Sequence, residues 1–176
     1  MTGNKTALLV IDVQRELFTK STPIYQPDVV LGNINALVER AHSAGVPVVY
    51  VQHSSKNHLV EDSEGWQLHS KLQPLPSDLR IRKTHPSSFE ETTLGKELAK
   101  RDIGTLVMCG LVTHGCVRAT CLAAIELGYK AILASDAHSS YSKDAARLIE
   151  EWNAKLGEAG AQVKATLDVD FSLSGQ

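Results

Sequence analysis

The sequence has no surplus of charge of either sign. Its 176 residues carry 18 Lys and Arg against 20 Asp and Glu, a formal net charge of −2. Nucleic-acid binders show a basic surplus and anionic-lipid binders a polybasic run, so neither partner is expected. Long apolar runs are missing too. The longest, ALLVI at 7–11 and VPVVYV at 46–51, are strand-length, far short of the ~20 residues of a membrane span. The opening MTGNKTALLVIDVQ has a short apolar segment, no small-residue cleavage site and an immediate Asp12. It does not read as a secretory signal, and a cytoplasmic location is expected. Cysteine is scarce. There are three, an odd number with no CxxC pair, which speaks against a disulfide framework or a zinc knuckle. No repeat, low-complexity tract or linker interrupts the chain, so residues 1–176 are read as one domain.

What is present is an ordinary globular composition, 43% apolar and 22% charged, arranged as alternating strands and helices. TALLVID at 6–12 reads as a buried strand. Residues 28–45 read as an amphipathic helix, with Val29, Leu31, Ile34, Leu37, Val38 and Ala41 near helical spacing and Gly45 as its stop. A strand at 46–52 follows, then a long aperiodic excursion at 53–79, a length that in compact domains is often functional. LRIRK at 79–83 reads as a short strand, 93–104 as a helix closed by Gly104, and 105–110 as a buried strand. Residues 114–128 read as a helix with Thr113 as N-cap and Gly128 past its end. A strand at 129–137, a helix at 142–160 and a strand at 161–167 complete the pattern. Strands apolar on both faces, alternating with helices, predict a mostly parallel sheet covered on both sides.

Ligands of such sheets gather outside the carboxyl ends of the strands. Asp12 ends the first strand with Gln14 just beyond, Gln52 and His53 end the second, Lys83 ends the short third, and GLVTHGC leads from the next strand to Cys116. An acid, a base and a thiol thus reach one sheet edge from three segments. Cys116 in a first helical turn feels the positive end of the helix dipole, which favours a thiolate. Cys109, within a strand, and Cys121, five residues beyond Cys116, read as core. Asp136 and His138, in SDAHSS, read as a turn supporting the cysteine helix from behind.

The ordered set of an Asp after strand one, a Lys before the S-x-F-x-x-T-x-L stretch and G-x-x-T-x-x-C-V resembles the isochorismatase-like cysteine hydrolases, which include nicotinamidases and N-carbamoyl amidohydrolases. The resemblance runs from LLVIDVQRELF at 8–18 to EWNAKLGEAGAQV at 151–163. It implies a Rossmann-like three-layer α-β-α fold with a six-stranded, mostly parallel sheet, and a homodimer or higher homo-oligomer. It implies a catalytic Asp12–Lys83–Cys116 triad, a cis peptide between Leu111 and Val112, and an oxyanion hole made by the Val112 and Cys116 backbone N–H groups. The chemistry implied is cleavage of a C–N bond in a small amide, carbamoyl or ureido compound through a thioester. A vinyl ether hydrolase of the isochorismatase type and a non-catalytic small-molecule-binding relative are the alternatives.

Nicotinamidases carry an aspartate and two histidines as a metal motif after strand two. Here Gln52 or His53 stands where the aspartate belongs, and the spacing of His53, His58 and His69 with Asp62 and Glu64 fits no metal pattern. No metal and no cofactor are expected. Aromatics are only 5% of the chain, so Phe18, Trp66 and Phe89, all in segments flanking the triad, are expected to wall a small pocket with Gln14, Gln52 and His114.

Overall fold

In strand β1 (Lys5–Ile11) every residue after Lys5 is buried, which needs cover on both faces. The computed structural model, which describes residues 3–172, supplies it. Leu8 and Val10 enter one core, and Ala7, Leu9 and Ile11 enter another on the opposite face. Helix α1 (Pro27–Ser43) closes the first core with Val30, Leu31, Ile34, Leu37, Val38 and Ala41. Helices α2 (Leu94–Lys100), α3 (Arg118–Glu126) and α4 (Ala145–Ala159) close the second, contributing Leu94, Leu98, Cys121, Ala124 and Leu156. The period-2 alternation of a strand therefore divides one apolar run between two helical layers.

The remaining strands are β2 (Val48–His53), β3 (Leu79–Lys83), β4 (Ile103–Leu111), β5 (Lys130–Ser139) and β6 (Gln162–Lys164). Their order is β3-β2-β1-β4-β5-β6, with every pairing parallel. The chain winds outward from β1 to β3, then returns to the other side of β1 and winds outward again. The winding reverses between β1 and β4, and sheets of this kind bind their ligands outside the carboxyl ends of the strands at such a reversal.

Several local expectations shift. Val30, not Val29, faces the core, and Val29 is exposed on α1. The helix before β4 stops at Lys100, because Asp102 takes a left-handed φ of 58°. Gly104 therefore lies inside β4, where an added Cβ would fall 1.7 Å from the Gly3 carbonyl oxygen. Thr113 is no N-cap. Thr113–Val117 forms a π turn with a non-helical Gly115, and α3 begins only at Arg118. Asp136 and His138 lie within β5, not in a turn. The register slips there from Met108–Leu133 to Gly110–His138, so β5 bulges. The support from behind is nevertheless present. His138 Nδ1 lies 2.8 Å from Thr113 Oγ1 and its Nε2 lies 2.9 Å from Asn153 Oδ1. Asn153 donates its own amide to the Ser135 carbonyl, so its oxygen faces His138. The histidine must then carry its proton on Nε2 and accept the Thr113 hydroxyl at Nδ1.

Gly110 sets how close β1 and β4 come at the site. Its φ is +121°, and an added Cβ would lie 2.1 Å from the Ile11 carbonyl oxygen. Both the conformation and the space demand glycine. Gly32, inside α1, has nothing within 4 Å of an added Cβ. Gly110→Ala is expected to cost about 3 kcal/mol of stability. Gly32→Ala is expected to add up to ~1 kcal/mol. Opposite shifts of the two thermal midpoints by calorimetry check both.

Candidate active site

Asp12 follows β1 directly, and its φ of +51° turns the chain sharply there. Non-glycine residues are uncommon in this region, and they gather at functional sites. The turn carries the carboxylate toward the end of β3, where Lys83 stands. Both residues are 2% exposed. Their charges are paired, with Lys83 Nζ 3.0 Å from Asp12 Oδ2, as burial of a lysine requires. The same ammonium lies 3.2 Å from Cys116 Sγ. Acid, base and thiol, separated by 71 and 33 residues along the chain, thus meet on one nitrogen.

Two further acceptors complete its surroundings. His53 Nδ1 is 3.0 Å from Lys83 Nζ and the His85 carbonyl oxygen 3.1 Å. The part played by His53 was not read from the sequence, although a signal existed. In the parallel β2–β3 register His53 and Lys83 are partners, so two adjacent strand ends necessarily bring them together.

Electrostatics revise the expected thiolate. Burial pushes the Cys116 thiol up to about 12, and the charge of Asp12 adds to this while Lys83 opposes it. The sulfur sits in the π turn ahead of α3, half-buried, and the cost of desolvating a charge there exceeds the pull of the helix end. Burial thus favours the thiol over the thiolate. Burial also raises the Asp12 carboxyl, against the pull of Lys83, which makes its carboxylate the stronger base. Its Oδ1 is buried with no hydrogen-bond partner. A carboxylate oxygen, an imidazole nitrogen and the sulfur of Asp12, His53 and Cys116 lie within 4.8 Å of one another.

Those three groups are the one set among the described residues whose donors are close enough to hold a metal ion. They do not fit one as they stand, because the Lys83 ammonium is already within hydrogen-bond reach of all three. The other histidines of the excursion go elsewhere. His58 pairs with Glu16, and His69 lies against Phe18 with ring centroids 4.3 Å apart.

The peptide between Leu111 and Val112 is cis. Beyond it the Gly115 and Val117 N–H groups both donate to the Val112 carbonyl, at 3.0 and 3.3 Å, closing the loop tightly around Cys116. Phe18, Trp66 and Val112 share an apolar cluster with Leu17, Ile24, Leu59, Leu111 and Tyr141, so two of the three expected aromatics stand beside this peptide. Phe89 packs against the second core, as Cys116 does, and stacks on Tyr129 with centroids 5.5 Å apart. His114 is half-buried, its Nδ1 3.5 Å from Ser140 Oγ. Cys109 and Cys121 are fully buried in the two cores.

Gln14 and Gln52 are corrected from pocket to scaffold. The Gln14 amide donates to the carbonyls of His53 and Trp66 and accepts from the His53 N–H, each at 2.9 Å. The Gln52 amide donates to the same Trp66 carbonyl at 3.1 Å and accepts from Arg80. Both side chains are spent on tying the 53–79 excursion to the ends of β1 and β2. Backbone bonds from Arg15 to Gln67, from Glu16 to Gly65 and from His69 to Val13 fasten the same junction.

Proteins of known sequence and structure are similar to this chain. A streptothricin hydrolase of Streptomyces noursei is 35% identical over 142 residues, covering 80% of this chain and 51% of the relative. The chain thus spans about half the length of the streptothricin hydrolases it matches. N-carbamoylsarcosine amidase of an Arthrobacter species is 27% identical over 153 residues, covering 74% of this chain and 58% of the relative. The crystal structure of an isochorismatase from Pseudomonas putida KT2440 superposes with a TM-score of 0.87 at 25% identity, over 95% of this chain and 91% of that one. The isochorismatase domain model matches residues 6–161, from the start of β1 to the threshold of β6, and on that match the chain belongs to the isochorismatase family.

Proposed function

We propose that the protein is a cysteine hydrolase that cleaves a C–N bond in a small amide, carbamoyl or ureido compound. The observation that carries this reading is the single ammonium, Lys83 Nζ, held 3.0 Å from Asp12 Oδ2 and 3.2 Å from Cys116 Sγ. Asp12 accepts the Cys116 proton as the sulfur attacks the carbonyl carbon. Lys83 stabilises the thiolate as it forms. The backbone N–H groups of Val112 and Cys116 receive the developing oxyanion. Asp12 returns the proton to the leaving amine or ammonia, and a thioester on Cys116 remains. A water that Asp12 deprotonates adds to the thioester carbonyl, and Cys116 departs with the proton restored. The products are an acid and an amine or ammonia.

A thiol raised to about 12 suits this scheme. It holds little thiolate at neutral pH, so attack depends on a base in contact. The relatives support hydrolysis at a C–N bond, since one is named a hydrolase and one an amidase acting on an N-carbamoyl compound. The reading takes residues 1–176 as one domain, working as a homo-oligomer in a reducing cytoplasm where Cys116 stays a free thiol. No helix among the described residues is long and apolar enough to cross a membrane.

Two measurements test the proposal. Ammonia release is followed over a panel of small amides, ureas and carbamoyl compounds under reducing conditions. Release is expected from the wild type and not from Cys116→Ala, and an equal rate in both would refute the nucleophile. Asp12→Asn is expected to lower kcat by roughly 10²–10⁴-fold, the usual weight of a positioned base. Below its pKa Asp12 is protonated and accepts nothing, so kcat/KM must fall as pH drops through that value. Because burial raises the value, the acid limb is expected above the ordinary carboxylate range, and Asp12→Asn should lack it.

A further inference from the structure

An ammonium has three N–H groups and no acceptor, yet four acceptors surround Lys83 Nζ. They are Asp12 Oδ2 at 3.0 Å, His53 Nδ1 at 3.0 Å, the His85 carbonyl oxygen at 3.1 Å and Cys116 Sγ at 3.2 Å. Two of them are engaged while Asp12 is ionised. Asp12 is the counter-ion of a buried charge, and the His85 carbonyl belongs to the backbone two residues on. One N–H is left for two acceptors, an imidazole nitrogen and a sulfur. A neutral thiol is a weak acceptor, so an imidazole nitrogen outcompetes it. A thiolate reverses the order, because a bond to a charged acceptor is about twice as strong.

We propose that His53 is a positioning residue that takes the third Lys83 N–H at rest and so keeps it off the Cys116 sulfur until the thiol gives up its proton. It rests on the reading of Cys116 as a thiol activated by Asp12. When the proton passes from sulfur to Asp12, the Lys83 N–H turns from His53 Nδ1 to the new thiolate. Nothing is oxidised, and no covalent bond other than S–H breaks. The swap leaves the thiol neutral between turnovers and supplies the stabilising donor only as charge develops. His53 is suited to the task because Nδ1 must be unprotonated to accept. Burial and the neighbouring Lys83 both hold the imidazole below its ordinary value, so it stays neutral. A merely structural role for His53 predicts the opposite sign. If it only held Lys83 in place, its loss would loosen the ammonium and make the thiol less reactive.

The test uses the full chain and needs no substrate. Alkylation of Cys116 by iodoacetamide is timed at about pH 8 and located by peptide mass spectrometry, with Cys116→Ser as the blank. Thiolate absorbance is titrated in parallel. His53→Leu removes the acceptor, and alkylation is expected to quicken roughly 3- to 10-fold, the weight of one hydrogen bond, with the thiol titrating lower. His53→Asn places an oxygen where Nδ1 stood and is expected to stay within about twofold of the wild type. A His53→Leu rate equal to or below wild type overturns the proposal, as does a His53→Asn rate matching His53→Leu. Should His53→Leu lose its cooperative melt, His53→Gln replaces it. Its oxygen lies nearer the Nε2 position, and it must then react faster than His53→Asn. Because ammonia release is measured separately, failure of the amide reading and failure of the His53 swap are told apart.

Discussion

A buried lysine needs partners, and Lys83 organises the molecule around that need. At 2% exposure its ammonium has lost nearly all of its water, and only ionised or polar groups held in place can replace that hydration. The replacements come from the end of β1, the end of β2, the backbone beyond β3 and the loop beyond β4. Four segments are thus drawn to one nitrogen. The helical layers keep the sheet dry on both faces and so place this cluster at the carboxyl edge of the strands. Asp12 answers the same charge by leaving the strand at a positive φ, a conformation that the surrounding contacts must hold.

The architecture behind the cluster repeats one device, in which side chains are spent on backbone. Gln14 and Gln52 both donate to the Trp66 carbonyl, so the long excursion is anchored at the residue whose ring lies in the apolar cluster beside Leu111 and Val112. On the far side, His138 accepts the Thr113 hydroxyl and ties the turn to α4 through Asn153. Gly110 permits the approach of β4 to β1 between these two supports. Each device holds a residue of the cluster or its loop on a rigid element, which fixes the geometry around Lys83.

The fold was legible in the sequence because its signals are local. Apolar runs of strand length, helical spacing in α1 and glycines after helices each depend on a few neighbours, and the β-α alternation then leaves few topologies. Errors fell where a close contact between distant residues decided the outcome. Gly104 looked like a helix stop, yet it is required by the passage of Gly3. Thr113 looked like a cap, yet its hydroxyl is claimed by a histidine 25 residues away. The pocket was least legible, since Gln14 and Gln52 point where the excursion sends them, and that excursion has no periodicity to read.

By itself, the sequence determined a parallel sheet between helical layers and the presence of an acid, a lysine and a thiol at the ends of separate strands. Both follow from patterns a few residues long, the first from alternation of apolar positions and the second from where the apolar runs stop. Only the tertiary structure decided what those groups are to one another. It brought them onto one nitrogen and added His53 to the set. It also buried Cys116, and that burial pushes the thiol up to about 12, against the expected thiolate. The physical reason is that hydrogen bonds act over about 3 Å and that the cost of a charge depends on how much water its surroundings remove. Neither distance nor burial is written in the order of residues until the chain has closed on itself.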